Sequence, residues 1–307
     1  MSSDYSVIEN GVRQRGILSP FLFKFYIDNI IHDISLMEEG CTLGITRVNI
    51  LAYADDIVLI TESVCEMSNL YARLCTSIRD HKLSINKDKS KCLIFGANSS
   101  IVNSNVLSLG GDDLEVVSVY KYLGHMIEGN LSDTRDVEFR LNKFYANINS
   151  ILRNFKHADV NTLLYLFSAY CKPVYGLSLW NNRATYSRCI FKTFEVAYSN
   201  AFKKILGVPL YASNHITADI CGQLLLRHQI ATLQCNYYQR VSNSSSLIIR
   251  VNFPFLKSGY FVGHLRQLFH DVYGVDVSCH APDVLAARIS WIQKHEPRRG
   301  SCLFYNF

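Results

Sequence analysis

Two adjacent carboxylates, Asp55 and Asp56, lie between two short apolar runs of the sequence, residues 48–52 and 57–60. Both runs are rich in β-branched residues, so we predict two buried strands with the acids at the tip of a hairpin. Adjacent negative charges repel each other, and a hard divalent cation relieves that repulsion. The pair therefore suits a two-metal phosphoryl-transfer site. Asp-Asp is also common in polar β-turns, and residues 53–56 alone do not decide between these interpretations.

The segment before this hairpin, residues 11–20, predicts a loop that leads into a helix. Ser19 suits the N-cap, and Pro20 suits the first helical position, where its missing N–H costs no hydrogen bond. Helical spacing of apolar residues then predicts an amphipathic helix over residues 19–38. Its expected apolar stripe consists of Phe21, Leu22, Phe25, Ile30 and Ile34. The loop also carries Arg13 and Gln14, which suit contact with a phosphate-bearing ligand, although most such loops are plain connectors.

Periodicity and turn signals along the rest of the chain predict a mixed α+β fold. Further helices are expected at residues 64–82, 133–155, 159–171, 186–206 and 214–241. Hairpins are expected at residues 43–60 and 105–127, and a strand at residues 91–96. In the second hairpin, Gly-Gly-Asp-Asp at residues 110–113 is expected to be an ordinary turn. The run Ser-Asn-Ser-Ser-Ser at residues 242–246 predicts a linker, and residues 247–307 predict a helical tail without a recognisable motif.

Four segments, taken together, resemble the reverse transcriptase of non-LTR (LINE-type) retrotransposons. Residues 11–20 are similar to the family's GVRQGxxLSP motif, and residues 51–60 to its catalytic AYADD strand–turn–strand. Residues 83–91 resemble the next palm motif, and residues 120–127 resemble the primer grip. All four occur in the family's order, over roughly residues 3 to 128. Weaker likeness at residues 173–176 and 204–209 extends the resemblance downstream.

The resemblance implies a partial polymerase palm, an antiparallel sheet with helices, over residues 1–130. An all-helical thumb-like region at residues 131–241 and a C-terminal helical tail at residues 242–307 follow it. The implied activity is RNA-directed DNA synthesis by two metal ions, Mg²⁺ or Mn²⁺, on an RNA template and DNA primer duplex with dNTP as substrate. The implied catalytic metal ligands are Asp55 and Asp56. The implied nucleotide or template contacts are Arg13, Gln14 and Lys89, and the implied primer grip is Tyr122, Leu123 and Gly124.

Two departures from the family pattern limit the expected activity. The family's first catalytic aspartate lies several dozen residues before the GVRQG motif, whereas ten residues precede Gly11 here and Asp4 is not expected to replace that aspartate. The fingers are likewise expected to be absent. Arg15 also stands where the family has a glycine beside the incoming nucleotide. We therefore expect this chain to be inactive alone. The alternatives are a non-catalytic nucleic-acid-binding remnant and an unstable product of a decayed element.

Bulk composition is that of an intracellular protein, nuclear or cytoplasmic, rather than a secreted one. The formal net charge of +5 permits nucleic-acid binding without requiring it. The ten cysteines include no CxxC pair, which argues against a zinc ribbon and favours reduced thiols. An apolar stretch at residues 163–180 is interrupted by Lys172 and Pro173, so a buried helix is expected there rather than a membrane span. The sequence gives no indication of oligomeric state.

Overall fold

The computed structural model describes residues 16–43, 46–96, 105–172, 174, 176–180 and 189–246. The chain divides into two compact units, each with its own core. The first unit comprises Met1–Cys92 and Asn98–Val117, and the second comprises Leu93–Ala97 and Ser118–Phe307. The predicted tail at residues 247–307 lies outside the described residues, as does the loop that carries Arg13, Gln14 and Arg15.

The first unit contains two long helices and a set of short strands. The helices are α1 (Ser19–Ser35) and α2 (Val64–Asp80). The strands are β1 (Cys41–Leu43), β2 (Thr46–Val48), β3 (Ile50–Tyr53), β4 (Asp56–Leu59), β5 (Lys91–Leu93), β6 (Val106–Leu109) and β7 (Asp112–Val117). Among described residues, β1 pairs with β2, β3 pairs with β4, and β5, β7 and β6 form a three-stranded sheet in that order.

Helix α2 begins at Val64, the residue predicted from the sequence. Ser63 is the N-cap and its hydroxyl accepts from the Glu66 backbone N–H at 3.2 Å, so one of the orphan donors of the first turn is satisfied. The observed helix ends at Asp80, two residues before the predicted end. Its inner face packs on α1 through Leu70, Leu74 and Ile78.

Helix α1 differs in two respects from the helix predicted from the sequence. Its N-cap is Leu18, whose side chain makes no capping bond, so Ser19 lies inside the helix rather than before it. The buried residues are Ile27, Ile30 and Ile34, because the C-terminal half of the helix packs most closely against α2. In the first two turns Phe23 is partly buried, but three other large apolar residues lie in solvent. These exposed residues are Phe21, Leu22 and Phe25.

The strands also differ from prediction. Residues 43–60 form parts of two separate hairpins rather than one, because Asn49 interrupts the strands. Its buried amide donates to the Ile34 and Met37 carbonyls at 2.8 and 3.3 Å, which fixes the chain at the end of α1. Strands β3 and β4 are not fully buried, since they form a two-stranded ribbon with Leu51 and Tyr53 in solvent. Residues 105–127 likewise contain β6–β7 and the start of another hairpin.

The second unit begins with a hairpin and continues with helices. The strands are β8 (Val119–Tyr122) and β9 (His125–Glu128). The helices are α3 (Thr134–Asn154), α4 (Val160–Tyr170), α5 (Cys189–Leu206), α6 (Asn214–Ile220) and α7 (Leu226–Ser242), with a 3₁₀ turn at Leu177–Leu179. The predicted helices at residues 133–155, 159–171 and 186–206 correspond closely to α3, α4 and α5.

The prediction of a single helix over residues 214–241 is wrong. Two helices, α6 and α7, occupy that range, and Gly222 between them has a φ of +61° that a helix cannot contain. Lys203 is buried at the end of α5 although its side chain carries a charge. Its ammonium group donates to the Leu210 carbonyl at 2.7 Å, which ties the following loop to the helix.

An aromatic cluster fills the core of the second unit. Phe144 of α3, Phe167 of α4 and Tyr198 of α5 lie with ring centroids 5.4 to 6.3 Å apart, at angles from near-parallel to near-perpendicular. The buried Tyr198 hydroxyl donates to the Gln229 side chain of α7 at 2.5 Å. The core therefore joins four helices around one polar contact.

The mixed α+β character predicted from the sequence is confirmed. The division into palm, thumb and tail at residues 130 and 241 stays a prediction. Within the described residues, no helix combines the length and apolar character needed to cross a membrane.

Candidate functional site

The hairpin β3–β4 places Asp55 and Asp56 at its tip. The strands pair antiparallel, with Tyr53 opposite Asp56 as the last pair, so Ala54 and Asp55 form a two-residue turn. Both carboxylates are exposed. The predicted strand–turn–strand is therefore present, and it brings the two acids together on one turn.

The backbone of this turn is unusual for its sequence. Ala54 has a φ of +53°, as the first central residue of a primed hairpin turn requires. Alanine lacks the freedom of glycine in this region, so the turn is held in a conformation that costs about 1 kcal/mol. Backbone strain of this kind is concentrated at functional turns.

The donor set at this turn suits part of a two-metal site. Carboxylate oxygens are the ligands that Mg²⁺ and Mn²⁺ prefer. Two ions about 4 Å apart need carboxylates that bridge them from more than one direction. Within the described part of the chain, no cluster of three or more His, Cys, Asp or Glu side chains could hold a metal ion. Asp55 and Asp56 alone are therefore an incomplete set.

The segment that carries Lys89 is fixed to the β6–β7 hairpin by ion pairs on either side. Lys87 pairs with Asp112, and Lys91 pairs with Glu115 at 2.7 Å. The Tyr71 hydroxyl of α2 also donates to Asp112, at 3.0 Å. The bonds from Lys87 and then Tyr71 hold the pKa of Asp112 below its usual range. Asp112, expected to be a plain turn residue, therefore anchors the lysine-bearing loop.

The β8–β9 hairpin presents the three predicted primer-grip residues. Tyr122 is opposite His125, so Leu123 and Gly124 form a two-residue turn. Their φ values are +44° and +80°, the combination of a type I′ turn. Leucine is rare at such a position, because its Cβ crowds the following carbonyl group. The Leu123 side chain is exposed.

A buried polar cluster in the second unit lies directly behind this turn. Asp136 of α3 is fully buried and accepts from the Trp180 indole N–H at 2.7 Å, the Met126 backbone N–H at 3.1 Å and the Arg140 guanidinium at 3.2 Å. Arg140 also donates to the Gly124 carbonyl at 2.5 Å. His125 Nδ1 lies 3.2 Å from the same carboxylate without hydrogen-bond geometry.

The ionisation of Asp136 follows from these partners. Burial raises the pKa of its carboxyl, but contacts from His125, the Met126 N–H and the Trp180 indole together outweigh burial and lower it. Asp136 is thus an anion at neutral pH, compensated by Arg140. Sequence analysis missed this cluster. Its only signal was an acid and an arginine spaced i, i+4 on a predicted helix face that is otherwise apolar.

The comparisons with known proteins agree with the motifs at these turns. Residues 2–127 match the family model described as reverse transcriptase (RNA-dependent DNA polymerase). The chain is 28% identical over 128 residues, 38% of its length, to the retrovirus-related Pol polyprotein from type-1 retrotransposable element R2 of Popillia japonica. It is 24% identical over 269 residues, 81% of its length, to the RNA-directed DNA polymerase from mobile element jockey of Drosophila funebris. It is 29% identical over 134 residues, 40% of its length, to the type-2 R2DM polyprotein of Drosophila melanogaster.

The chain corresponds to only part of these relatives. The matches cover 18% of the Popillia R2 polyprotein, 27% of the jockey polymerase and 12% of the R2DM polyprotein. Residues 2–127 therefore look like part of a reverse transcriptase domain, similar to those of retrotransposable elements.

Proposed function

We propose that the chain is the primer–template-holding part of an RNA-directed DNA polymerase, with residues 1–130 as palm and residues 131–241 as thumb. The observation that carries the proposal is the β3–β4 hairpin, which presents Asp55 and Asp56 in solvent on a strained turn. The family match over residues 2–127 supports the same assignment. In this proposal, RNA template, DNA primer and dNTP are the ligands.

Asp55 and Asp56 are the proposed ligands of Mg²⁺ or Mn²⁺. Their hard oxygen donors fit such an ion, but the pair needs a further carboxylate to bridge two ions. When bound, the metal would neutralise phosphate charge and align the primer 3′-hydroxyl with the nucleotide α-phosphate. The protein's contribution is to hold two carboxylates on a rigid hairpin at a fixed separation.

The remaining proposed contacts are with nucleic acid and nucleotide. Lys89 lies on a loop that two flanking ion pairs fix to the β6–β7 hairpin, so its ammonium group would meet phosphate from a defined position. Tyr122, Leu123 and Gly124 would contact the primer. Arg13 and Gln14 are proposed to lie beside nucleotide or template.

Salt-dependent binding tests this function. Each phosphate that a cation neutralises should contribute about −0.9 to the slope of log affinity against log salt concentration. An RNA–DNA hybrid with a recessed DNA 3′ end is the probe, and its affinity is measured at several salt concentrations. Lys89→Gln should reduce the slope by about one unit. Lys87→Gln is the matched control, since Lys87 already pairs with Asp112 and should change the slope less.

Two results would contradict the proposal. One is undetectable binding of the hybrid at low salt. The other is affinity that stays constant from low to moderate salt, which would mean that no phosphates are neutralised.

A non-catalytic nucleic-acid-binding protein is the second candidate. The incomplete set of metal donors within the described residues favours it. Both candidates predict hybrid binding, so primer extension separates them.

A further inference from the structure

We propose that Asp136 is a positioning residue for the primer-binding turn, acting through Arg140 and the Met126 amide on the backbone of Leu123 and Gly124. The proposal rests on the function proposed above, since it assumes that this turn holds a primer. It assigns a role to a buried carboxylate that touches neither metal nor substrate. All the groups involved lie in the second unit.

The first argument is the pattern of hydrogen bonds. One carboxylate oxygen, Oδ1, accepts from the Met126 N–H at 3.1 Å and from Arg140 Nη2 at 3.2 Å. The other, Oδ2, accepts from the Trp180 indole at 2.7 Å and lies 3.4 Å from Arg140 Nε. Both oxygens therefore face donors, and an amide in place of the carboxylate would direct an N–H at one of them.

The second argument is the position of the Gly124 carbonyl. Arg140 Nη2 donates both to this carbonyl and to Asp136, so the carboxylate fixes the guanidinium and the guanidinium fixes the turn. Leu123 occupies a left-handed conformation that it would leave without an external constraint. Hydrogen bonds to both Gly124 and Met126 supply that constraint.

The third argument is close packing behind the cluster. A Cβ on Gly176 would lie 2.9 Å from His125 Nδ1 and 3.4 Å from Arg140 Nη2. The backbone at Gly176 therefore packs closely against the cluster and limits movement of both side chains. Trp180, four residues later, donates the indole bond to the carboxylate.

A purely structural role would need no such arrangement. Buried charged groups contribute little net stability compared with apolar residues of similar volume, and their best-attested benefit is a defined geometry. Here, the geometry that is defined is that of the turn, because three of the polar contacts reach residues 124–126.

The test measures whether the protein binds a hybrid with a primer terminus more tightly than a hybrid without one. Two RNA–DNA hybrids with the same base pairs are compared, one with a recessed DNA 3′ end and one with both ends closed by loops. Wild type should prefer the recessed end. In Asp136→Asn that preference should fall about tenfold, which is the effect expected from the loss of one charge-assisted hydrogen bond. Affinity for the closed hybrid and its salt slope should stay near wild type. Asp159→Asn, at the exposed N-cap of α4, is the matched control and should retain the preference.

Amide hydrogen exchange shows whether the turn itself has changed. Exchange should accelerate in residues 119–128 of Asp136→Asn and stay unchanged in α4 and α5. Trp180→Phe and Arg140→Lys, which alter donors to the carboxylate but keep its charge in place, should show the same local change if Asp136→Asn folds poorly. Arg153→Lys, at the exposed end of α3, controls for the loss of a guanidinium.

The outcomes are separable. A wild-type protein that binds neither hybrid contradicts the proposed function and, with it, the primer role of the turn. Wild-type preference that persists in Asp136→Asn contradicts the positioning role alone. Exchange that accelerates equally across the whole helical unit also contradicts it, because the carboxylate would then be a general stabiliser.

Discussion

At the scale of single residues, both candidate turns share a feature that ordinary hairpins avoid. Ala54 beside the two aspartates and Leu123 in the β8–β9 turn have positive φ, where glycine or asparagine would be unstrained. Both residues are exposed, Leu123 to 36%. The side chain at Leu123 is therefore a candidate for direct contact with a ligand.

Replacing Leu123 by asparagine should separate stability from binding. Asparagine tolerates positive φ, so Leu123→Asn should raise the free energy of unfolding by about 0.5 to 1 kcal/mol. The same variant should bind the recessed-end hybrid more weakly, because a contacting side chain is lost. Urea unfolding and hybrid affinity are the measurements.

Leu131 provides the matched control for this prediction. It also has positive φ, +56°, and is exposed, but it lies outside the turn. Leu131→Asn should be stabilised by a similar amount with unchanged affinity. Equal affinity in both variants would show that the Leu123 side chain does not contact the primer.

Because of Asp136, we expect the free energy of unfolding of the second unit to decrease at acid pH. Its folded-state pKa lies below the unfolded value near 4, so its contribution is complete above that pH and is lost as pH falls through the folded value. Arg140 and the titratable side chain of His125 face it.

The expected result is a difference between wild type and Asp136→Asn that shrinks as pH is lowered from about 5 to about 2. Urea unfolding at each pH measures it. Asp159→Asn should give a smaller change, because the Asp159 carboxylate is exposed and solvent screens it. A constant difference for Asp136→Asn across this range would show that its carboxyl has no lowered pKa.

At the scale of elements, helix α3 connects the β8–β9 hairpin to the helical core. Its apolar face packs Val137, Leu141 and Phe144 into the aromatic cluster. Glu128 at the end of β9 accepts from the Arg135 N–H at 2.8 Å, which satisfies a donor of the first helical turn. Since the hairpin is bonded to α3 near its turn and at its base, the helix can set the orientation of both strands.

The break between α6 and α7 is a second element-scale feature that can be tested. A Cβ on Gly222 would meet no atom within 4 Å, so a substitution there changes backbone conformation alone. Gly222→Ala should lower the free energy of unfolding by about 1 kcal/mol, and Gly222→Asn by less, since asparagine tolerates positive φ. Urea unfolding followed by circular dichroism measures both. An alanine variant as stable as wild type with increased helicity would instead support the continuous helix predicted from the sequence.

Elements whose signals are local in sequence were predicted better than features that depend on contacts with residues distant in sequence. Ser63 and Glu66 defined the start of α2, and paired glycines defined the β6–β7 turn, because capping and turn chemistry are local. In α1, Ile30 and Ile34 were predicted on the apolar face and are buried, whereas the exposure of the first turns was not predictable, since it depends on where α2 crosses the helix. The Asp55–Asp56 turn was predicted from its flanking strands, whereas Asp136 was missed because its partners at residues 126 and 180 are distant in sequence.

At the scale of the whole chain, the two candidate turns belong to different units, the Asp55–Asp56 turn to the first and the Leu123–Gly124 turn to the second. Each unit has its own apolar core, so each can present its turn without a ligand. The proposed polymerase function uses both turns, and a two-ion site needs a carboxylate beyond Asp55 and Asp56. Binding of a hybrid and extension of its primer are therefore separate properties, and the first does not imply the second.

We expect the chain alone, with Mg²⁺ or Mn²⁺, to extend no DNA primer on an RNA template. The physical reason is that Asp55 and Asp56 lie on one turn and reach two ions from one side, and the described residues offer no third acid beside them. The assay measures incorporation of dNTP by purified protein under salt conditions in which the hybrid is bound. Asp55→Ala is assayed in parallel. Asp113→Ala, which removes an acid of the β6–β7 hairpin, is the control. Extension that is present in wild type and in Asp113→Ala but lost in Asp55→Ala would contradict the expectation. It would also mean that an acid outside the described residues completes the metal site, which would favour the enzyme over the binding protein.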